Sequence, residues 1–395
     1  MRTGGQAETP APGTASYPGE RLLVPDLARG AMLSLIAVAN THYWFRQDLD
    51  ASGTVEGLVS GTLTLLVDAR AYPLFALLLG FGLAILASRS VHEGLASGLD
   101  HGQAETRARA LLRRRGLWLI AFGAVHALIF AQDILGVYGL ITIMVAGVIT
   151  ARRWWAALLL AGAVCVSSTL FLVAVGADAA LARNHGSAAQ ILFEQGPVGW
   201  ATNLAMWIVV VPATVLTSMA LPSALLGAWL AGRGWIERPR RYRRGLTVVF
   251  LVGLFLPVVV TPVVWAGVGG QAALERAFVA WHQGLAGVLA GAGYLAVIAL
   301  AASRRAAATG VLGRALAATG RRTLSVYLAQ TVLVALTAGA LRLFGVDSLA
   351  LAWQLLVAVT VWAVSLLACS LAERHGIPGP AERGLRRLVA ANTRD

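Results

Sequence analysis

The chain of 395 residues has no lysine, so all 32 of its basic residues are arginine. It has two cysteines, Cys165 and Cys369, both inside apolar runs, which excludes a disulfide framework and a thiolate metal centre. Charge is scarce at 13% of residues, against 57% hydrophobic, and acids number only 19. A soluble domain needs more polar surface than that, and the composition points to a membrane class. No apolar segment of the kind found in a cleaved signal peptide lies in residues 1–20, which are polar and rich in Gly, Pro and Ala. They read as a disordered cytoplasmic tail.

What fills the chain instead is hydrophobic runs of membrane-spanning length. Ten are expected, at 28–46, 71–88, 116–131, 134–151, 154–175, 204–231, 245–268, 281–302, 322–343 and 350–372. A bilayer core needs about 20 helical residues to cross, and most of these runs reach that length. The predicted fold is an all-α polytopic bundle of about ten spans. Residues 21–375 form the membrane domain and 376–395 a basic cytoplasmic tail.

The arginines set the orientation. With the N-terminus inside, 26 of the 32 fall in cytoplasmic gaps and tails. The other face holds Arg46, Arg70, Arg183, Arg276 and Arg342, and Arg29 opens the first span. Basic loops resist translocation, so both termini are expected in the cytoplasm, in a bacterial plasma membrane. The net charge of +13 and clusters such as Arg113-Arg114-Arg115 therefore report topology and headgroup attraction, not nucleic-acid binding. The 43 glycines suit close helix approach in lipid, as at Gly80 and Gly82 or Gly291 and Gly293. The stretch 89–112, with two histidines and three acids, follows no metal-ligand spacing and reads as a solvated loop. Residues 58–67 are too short and polar to span and are expected to lie as an interfacial helix.

Polar side chains within spans are costly and mark function by default. In the first span Asp26 and Arg29 share a helical face at the cytoplasmic start. Asn40 lies about 16 Å further along nearly the same face, with His42 close behind. His126 and Asp133 are seven apart, about 10 Å along a continuous helix. They bond only if the helix breaks near Gln132; alternatively Asp133 caps the fourth span from its N-terminal end. In the ninth span Thr323, Tyr327 and Gln330 form a polar stripe that must face the protein interior. His282 is expected at the outer interface.

Several of these residues carry a resemblance to a known family. Asp26-Leu-Ala-Arg-Gly30 with Asn40, Tyr72-Pro-Leu-Phe-Ala-Leu-Leu-Leu-Gly-Phe-Gly82, and Arg113-Arg-Arg with His126, Asp133-Ile-Leu and Tyr138 come first. Gly227-Ala-Trp-Leu-Ala-Gly-Arg-Gly-Trp235, Gly320-Arg-Arg-Thr-Leu-Ser-Val-Tyr-Leu-Ala-Gln330 and Gly379-Pro-Ala-Glu-Arg-Gly-Leu-Arg386 follow in order. Together, over about residues 21–390, the chain resembles the YeiB-like bacterial membrane proteins, a domain of unknown function. That family is similar to transmembrane acyltransferases, including sugar O-acetyltransferases and the lysosomal heparan glucosaminide acetyltransferase. In the lysosomal type an Arg-Gly precedes an Asn by eleven residues, as Arg29-Gly30 and Asn40 do here, and a catalytic His lies further on. His42 follows Asn40 by only two residues, a departure that leaves His126 as a competing base.

The resemblance implies acyl transfer from a cytoplasmic acyl-CoA co-substrate to a cell-envelope sugar or lipid acceptor, with no bound cofactor or metal. Arg29, with Arg321 or Arg322, would hold the donor phosphates, since guanidinium forks match them. His126 or His42 would be the general base, and Asp133 is the third expected catalytic residue. Asp26, Asn40, Tyr138, Tyr327 and Gln330 complete the expected substrate site. The competing reading is transport or flipping of a small solute or lipid through the same polar groups without covalent change. A third is a membrane sensor or partner subunit with no turnover.

Overall fold

A computed structural model describes residues 22–48, 53–175, 186–259, 261, 272–304 and 310–391. The expected N-terminal tail, Arg183 and the final four residues lie outside them. The structure is 82% helical, which makes the class all-α. Seven helical stretches among the described residues are long and apolar enough to cross a membrane. The chain is thus an integral membrane protein.

In chain order the helices are α1 (Leu23–Thr41), α2 (Thr54–Leu66), α3 (Ala71–Ala96), α4 (His101–Ala127), α5 (Ile134–Thr150) and α6 (Trp154–Val175). They continue as α7 (Gly196–Thr217), α8 (Ala220–Leu230), α9 (Arg243–Phe250), α10 (Ala272–Gln283) and α11 (Leu285–Ala302). The last four are α12 (Val311–Gly320), α13 (Thr323–Leu343), α14 (Leu351–Arg374) and α15 (Pro380–Ala391). Residues Arg46–Gln47 and Ser348–Leu349 pair as a two-residue parallel bridge at one end of the bundle.

Each expected run is helical where it is described, but boundaries differ in informative ways. The run at 204–231 is two helices, because Ser218 is extended (φ −121°, ψ 165°) and Pro222 follows in the first turn of α8. The run at 116–131 is the distal half of α4 and stops at Ala127. The stretch 89–112, expected as a solvated loop, is mostly helix. Asp100 accepts the Gln103 N–H at 2.8 Å while Gln103 accepts the Asp100 N–H at 3.2 Å, a reciprocal cap that starts α4 early. Residues 58–67 do fall in a helix, α2, none of whose side chains is buried. Its Glu56 accepts the N–H groups of Leu351 and Ala352 at 2.9 and 3.2 Å, so it caps α14 from a distance.

Close backbone approach replaces the hydrophobic drive that lipid cannot supply. Gly80 of α3 sits against the Ala224 carbonyl of α8, and Gly227 of α8 against the Leu77 carbonyl of α3. Gly116 and Gly139 face each other in the same way where α4 meets α5. Gly82 differs from the expectation: it faces the Arg29 guanidinium rather than another backbone. Outside this packed interior α6 turns Leu158, Leu159, Val166 and Leu170 outward. In water such a face would aggregate, and in a bilayer it is simply solvated.

The Gly80 crossing makes a testable claim. Gly80→Ala puts a methyl onto a carbonyl oxygen and should cost about 1–3 kcal/mol by overpacking. Its melting temperature in detergent should fall by several degrees. Gly57→Ala, where nothing lies within 4 Å, should be neutral or mildly stabilising.

Candidate functional site

The chain leaves the helix between Ala127 and Ile134, the condition under which His126 and Asp133 can bond, and the two meet. After Ala127 the chain leaves the helix, and the His126 carbonyl takes the N–H groups of Ile129 and Phe130, each at 3.0 Å. Phe130 then packs against Trp44 in the aromatic cap at this end of the bundle. Asp133 is extended (φ −68°, ψ 133°) and begins α5, accepting the Gly136 N–H on Oδ2 at 2.8 Å. Its other oxygen, Oδ1, lies 2.8 Å from His126 Nδ1. The cap and the histidine partner, weighed as alternatives in the sequence, are the two oxygens of one carboxylate.

Two further elements close on that carboxylate. Trp207 of α7 donates its indole N–H to Oδ2 at 3.2 Å. The Tyr327 hydroxyl of α13 stands 3.5 Å from Oδ1 and accepts the Ile134 N–H at 3.2 Å. His126 and Asp133 are 4% and 3% exposed, so no water competes for these bonds. The cluster fits because Gly123 and Gly136 leave room: a side chain on Gly123 would strike Asp133 Oδ2, and one on Gly136 would strike the Trp207 ring.

The chemistry of the pair follows from its donors and acceptors. An ionised carboxylate only accepts, so His126 Nδ1 carries the proton toward Asp133 and a neutral ring keeps its lone pair on Nε2. His126 Nε2 is buried with no hydrogen-bond partner, and so are both amide atoms of Gln330, one turn along α13 from Tyr327. Buried polar atoms are rarely left unpaired, and each such atom asks for an explanation. Imidazole with an open Nε2, fixed by a carboxylate, is the arrangement of a general base.

The other expected residues are placed as follows. His42 and Asn40 are half-buried at the end of α1, and the His42 ring lies tilted against Tyr43 with ring centres 4.3 Å apart. Ring contacts run on from Tyr43 to Phe130 at 5.5 Å and from Phe130 to His126 at 6.0 Å, so two aromatic rings separate the two histidines. Tyr138 is buried, stacks on Phe75, and donates its hydroxyl to the Tyr72 carbonyl at 3.2 Å, which ties α5 to α3.

At the opposite end Arg29 pairs with Asp26 at 3.4 Å, and Arg321 approaches the same carboxylate at 3.9 Å. Arg321 and Arg322 both hold Glu373 at 2.6 Å, and Arg322 also donates to the Ile377 and Ala318 carbonyls. Arg322 is thereby fully engaged in fastening α13 to the end of α14. Glu382 of α15 accepts the Leu324 N–H at 2.7 Å and the Ser325 hydroxyl at 2.5 Å, which caps the start of α13. Arg115 of α4, absent from the expected site, lies within electrostatic reach of Arg29, Glu382 and Arg386. Its guanidinium makes no hydrogen bond with any described residue.

A second polar cluster was not foreseen. Arg70 is fully buried, with Nη1 3.3 Å from His282 Nε2 and Nη2 3.3 Å from His282 Nδ1. His282, expected at the outer interface, is buried within the protein at 1% exposure. Trp207 was equally hidden, since a tryptophan in an apolar run carries no signal of a polar partner.

The geometry defines a helical membrane protein with, among the described residues, a buried carboxylate–imidazole pair and an arginine-rich opposite end. Residues 230–392 match the model of a family described as a protein of unknown function, DUF418. The C-terminal part of the chain carries that domain, in agreement with the YeiB-like resemblance of the sequence. No curated protein and no solved structure matches the chain. The matched segment supplies Tyr327, Gln330 and the Glu373 and Glu382 anchors, while His126 and Asp133 precede it.

Asp133→Asn tests the pair. The amide keeps an oxygen for the Gly136 N–H but offers N–H to the imidazole, which should drive the proton to Nε2. Nitrogen-15 spectra of His126 should show that tautomer with the fold retained, whereas Asp133→Ala should lose about 0.5–2 kcal/mol with the cap.

Proposed function

We propose that the protein transfers an acyl group from a cytoplasmic CoA-type donor to an acceptor at the other side of a bacterial plasma membrane. The observation that carries this reading is the buried His126–Asp133 pair with its unpartnered Nε2. His126 takes the proton of an acceptor hydroxyl or amine as that atom attacks the acyl carbonyl, and Asp133 stabilises the imidazolium that forms; the adduct then collapses with cleavage of the C–S bond, and the imidazolium returns the proton to the departing CoA thiolate. Gln330, whose amide has no partner, supplies an N–H for the carbonyl oxygen as it gains charge.

The donor side has its own support. Arg115 and His126 lie eleven residues apart on nearly one face of α4, about 16 Å along the axis. A donor whose phosphates rest near Arg29 and Arg115 would extend its acyl arm along that face toward the imidazole. Arg321 acts here by positioning Asp26 and Glu373, and Arg322 by anchoring α13. This arrangement takes the arginine-rich end as cytoplasmic, with both termini on that side. In a cysteine-free background, Ser97→Cys should resist an impermeant maleimide in intact cells and Asp347→Cys should react with it. The opposite pattern would invert the model.

Transport without covalent change is the second reading, and the interruptions at residues 218–219 and at Gly284 favour it, since broken helices line many transport sites. The two readings part on one measurement. Acyl-CoA at 100 times its dissociation constant should stabilise the purified protein by about 2.7 kcal/mol, with ATP ineffective and the shift lost in Arg29→Ala. His126→Ala should keep that shift and lose product formation by about 10²–10⁴-fold. Solute flux with no acylated product, or no response to CoA by a cooperatively melting protein, would favour transport.

A further inference from the structure

The last helix of the chain adds a cation to the arginine-rich end. α15 is fastened to α13 within its first turn: the Ala381 N–H donates to the Ser325 hydroxyl at 3.0 Å, and Glu382 accepts the Leu324 and Ser325 N–H groups at 2.7 and 3.2 Å. Just beyond, Leu385 is 3% exposed, and Gly384 packs beside Phe122 of α4, where a Cβ would lie 3.8 Å from the ring. These contacts hold the helix against α13 and α4. The next residue, Arg386, is exposed and within electrostatic reach of Arg115.

Charge is not balanced around Arg115. The ion pairs of this end join Arg29, Arg321 and Arg322 to Asp26 and Glu373. Glu382 has both oxygens engaged at the start of α13. Arg115 is left over: it is half-buried, and its guanidinium bonds to no described residue. Of the three charged neighbours within its reach, Arg29 and Arg386 are cations and only Glu382 is an anion. Like charges held close in partly desolvated surroundings raise the free energy of the empty site, and an anion that enters lowers it.

The three guanidinium groups come from three helices, α1, α4 and α15, so their donors approach from different directions. A carboxylate offers two oxygens in one plane, whereas a phosphate monoester offers three around one centre and a larger charge. Arginine forks suit that group better than ammonium groups would. We propose that Arg29, Arg115 and Arg386 form a site for a phosphate monoester, completed by α15, whether the phosphate belongs to a soluble nucleotide such as CoA or to the head of a lipid. With CoA as ligand the site rests on the donor reading above and adds the last helix to it. With a lipid head it stands without that reading.

The test is thermal melting of the full chain in phosphatidylcholine nanodiscs, with CoA in solution or phosphatidate in the disc as the probe. At least one should raise the melting temperature by several degrees. CoA alone identifies a soluble nucleotide. Phosphatidate alone identifies a lipid head, which removes the donor reading and leaves the site standing; a response to both identifies the phosphate itself as the recognised group. Dephospho-CoA and phosphatidylglycerol, which lack the monoester, should act more weakly than their counterparts. Arg386→Gln should weaken apparent affinity about tenfold, the loss of one charged hydrogen bond. Arg387→Gln removes the same charge from the next exposed position, which is not among the charges within reach of Arg115, and should respond as the parent does. Both positions are exposed, so both variants should fold. No response to either probe, equal responses to the probes without a monoester, or equal losses in the two variants would overturn the assignment. A CoA response undiminished in Arg386→Gln would overturn it while sparing the donor reading.

Discussion

Hydrocarbon offers no hydrogen bonds, and the carboxylate of Asp133 is where this protein meets that constraint most directly. Its two oxygens face a histidine from α4, a backbone N–H from α5, an indole from α7 and, at longer range, a phenol from α13. Much of the local architecture is a condition of that convergence. The α4 helix has to stop at Ala127 for Asp133 to turn back over it. Gly123 and Gly136 have to lack side chains, and Trp207 has to point inward from a helix that is otherwise largely lipid-facing. Removing one donor leaves the carboxylate with fewer partners in a place where solvent does not readily replace the lost bond.

The arginine-rich end solves the complementary problem of holding many cations close together. Arg322 distributes its fork over Glu373 and two carbonyls, and Arg321 shares itself between Glu373 and Asp26. A lysine, with one point charge and no planar fork, could not hold three acceptors in these directions, which gives the all-arginine composition a structural sense. Arg115 stands apart from this bonding with Arg29 and Arg386 nearby, so positive potential is left over on the face of α4 that leads to His126.

Periodicity and hydropathy made the spans legible, and the cost of polar groups in lipid singled out His126, Asp133, Tyr327 and Gln330. The seven-residue gap between His126 and Asp133 also told what geometry was needed, namely a break between them, and the structure has it. What stayed hidden depended on partners far away in sequence. Nothing within the run at 204–231 marks Ser218 as a break, and nothing beside Arg322 announces Glu373, 51 residues on. His282 looked interfacial because its partner, Arg70, lies 212 residues earlier. The segment 89–112 was misjudged for a different reason: its charges were read as solvation, whereas Asp100 and Gln103 form a local cap that extends α4 beyond the apolar region.

Two transmembrane helices do not cap themselves. The first N–H groups of α14 are satisfied by Glu56, and those of α13 by Glu382. The two carboxylates become available at very different moments in the life of the chain. Glu56 has left the ribosome long before α14 exists, so α14 meets a waiting partner. Glu382 follows the start of the helix that it caps by 58 residues. The helix bearing Tyr327 and Gln330 is therefore capped by a carboxylate that comes after it in sequence, and α14 by one that comes long before it.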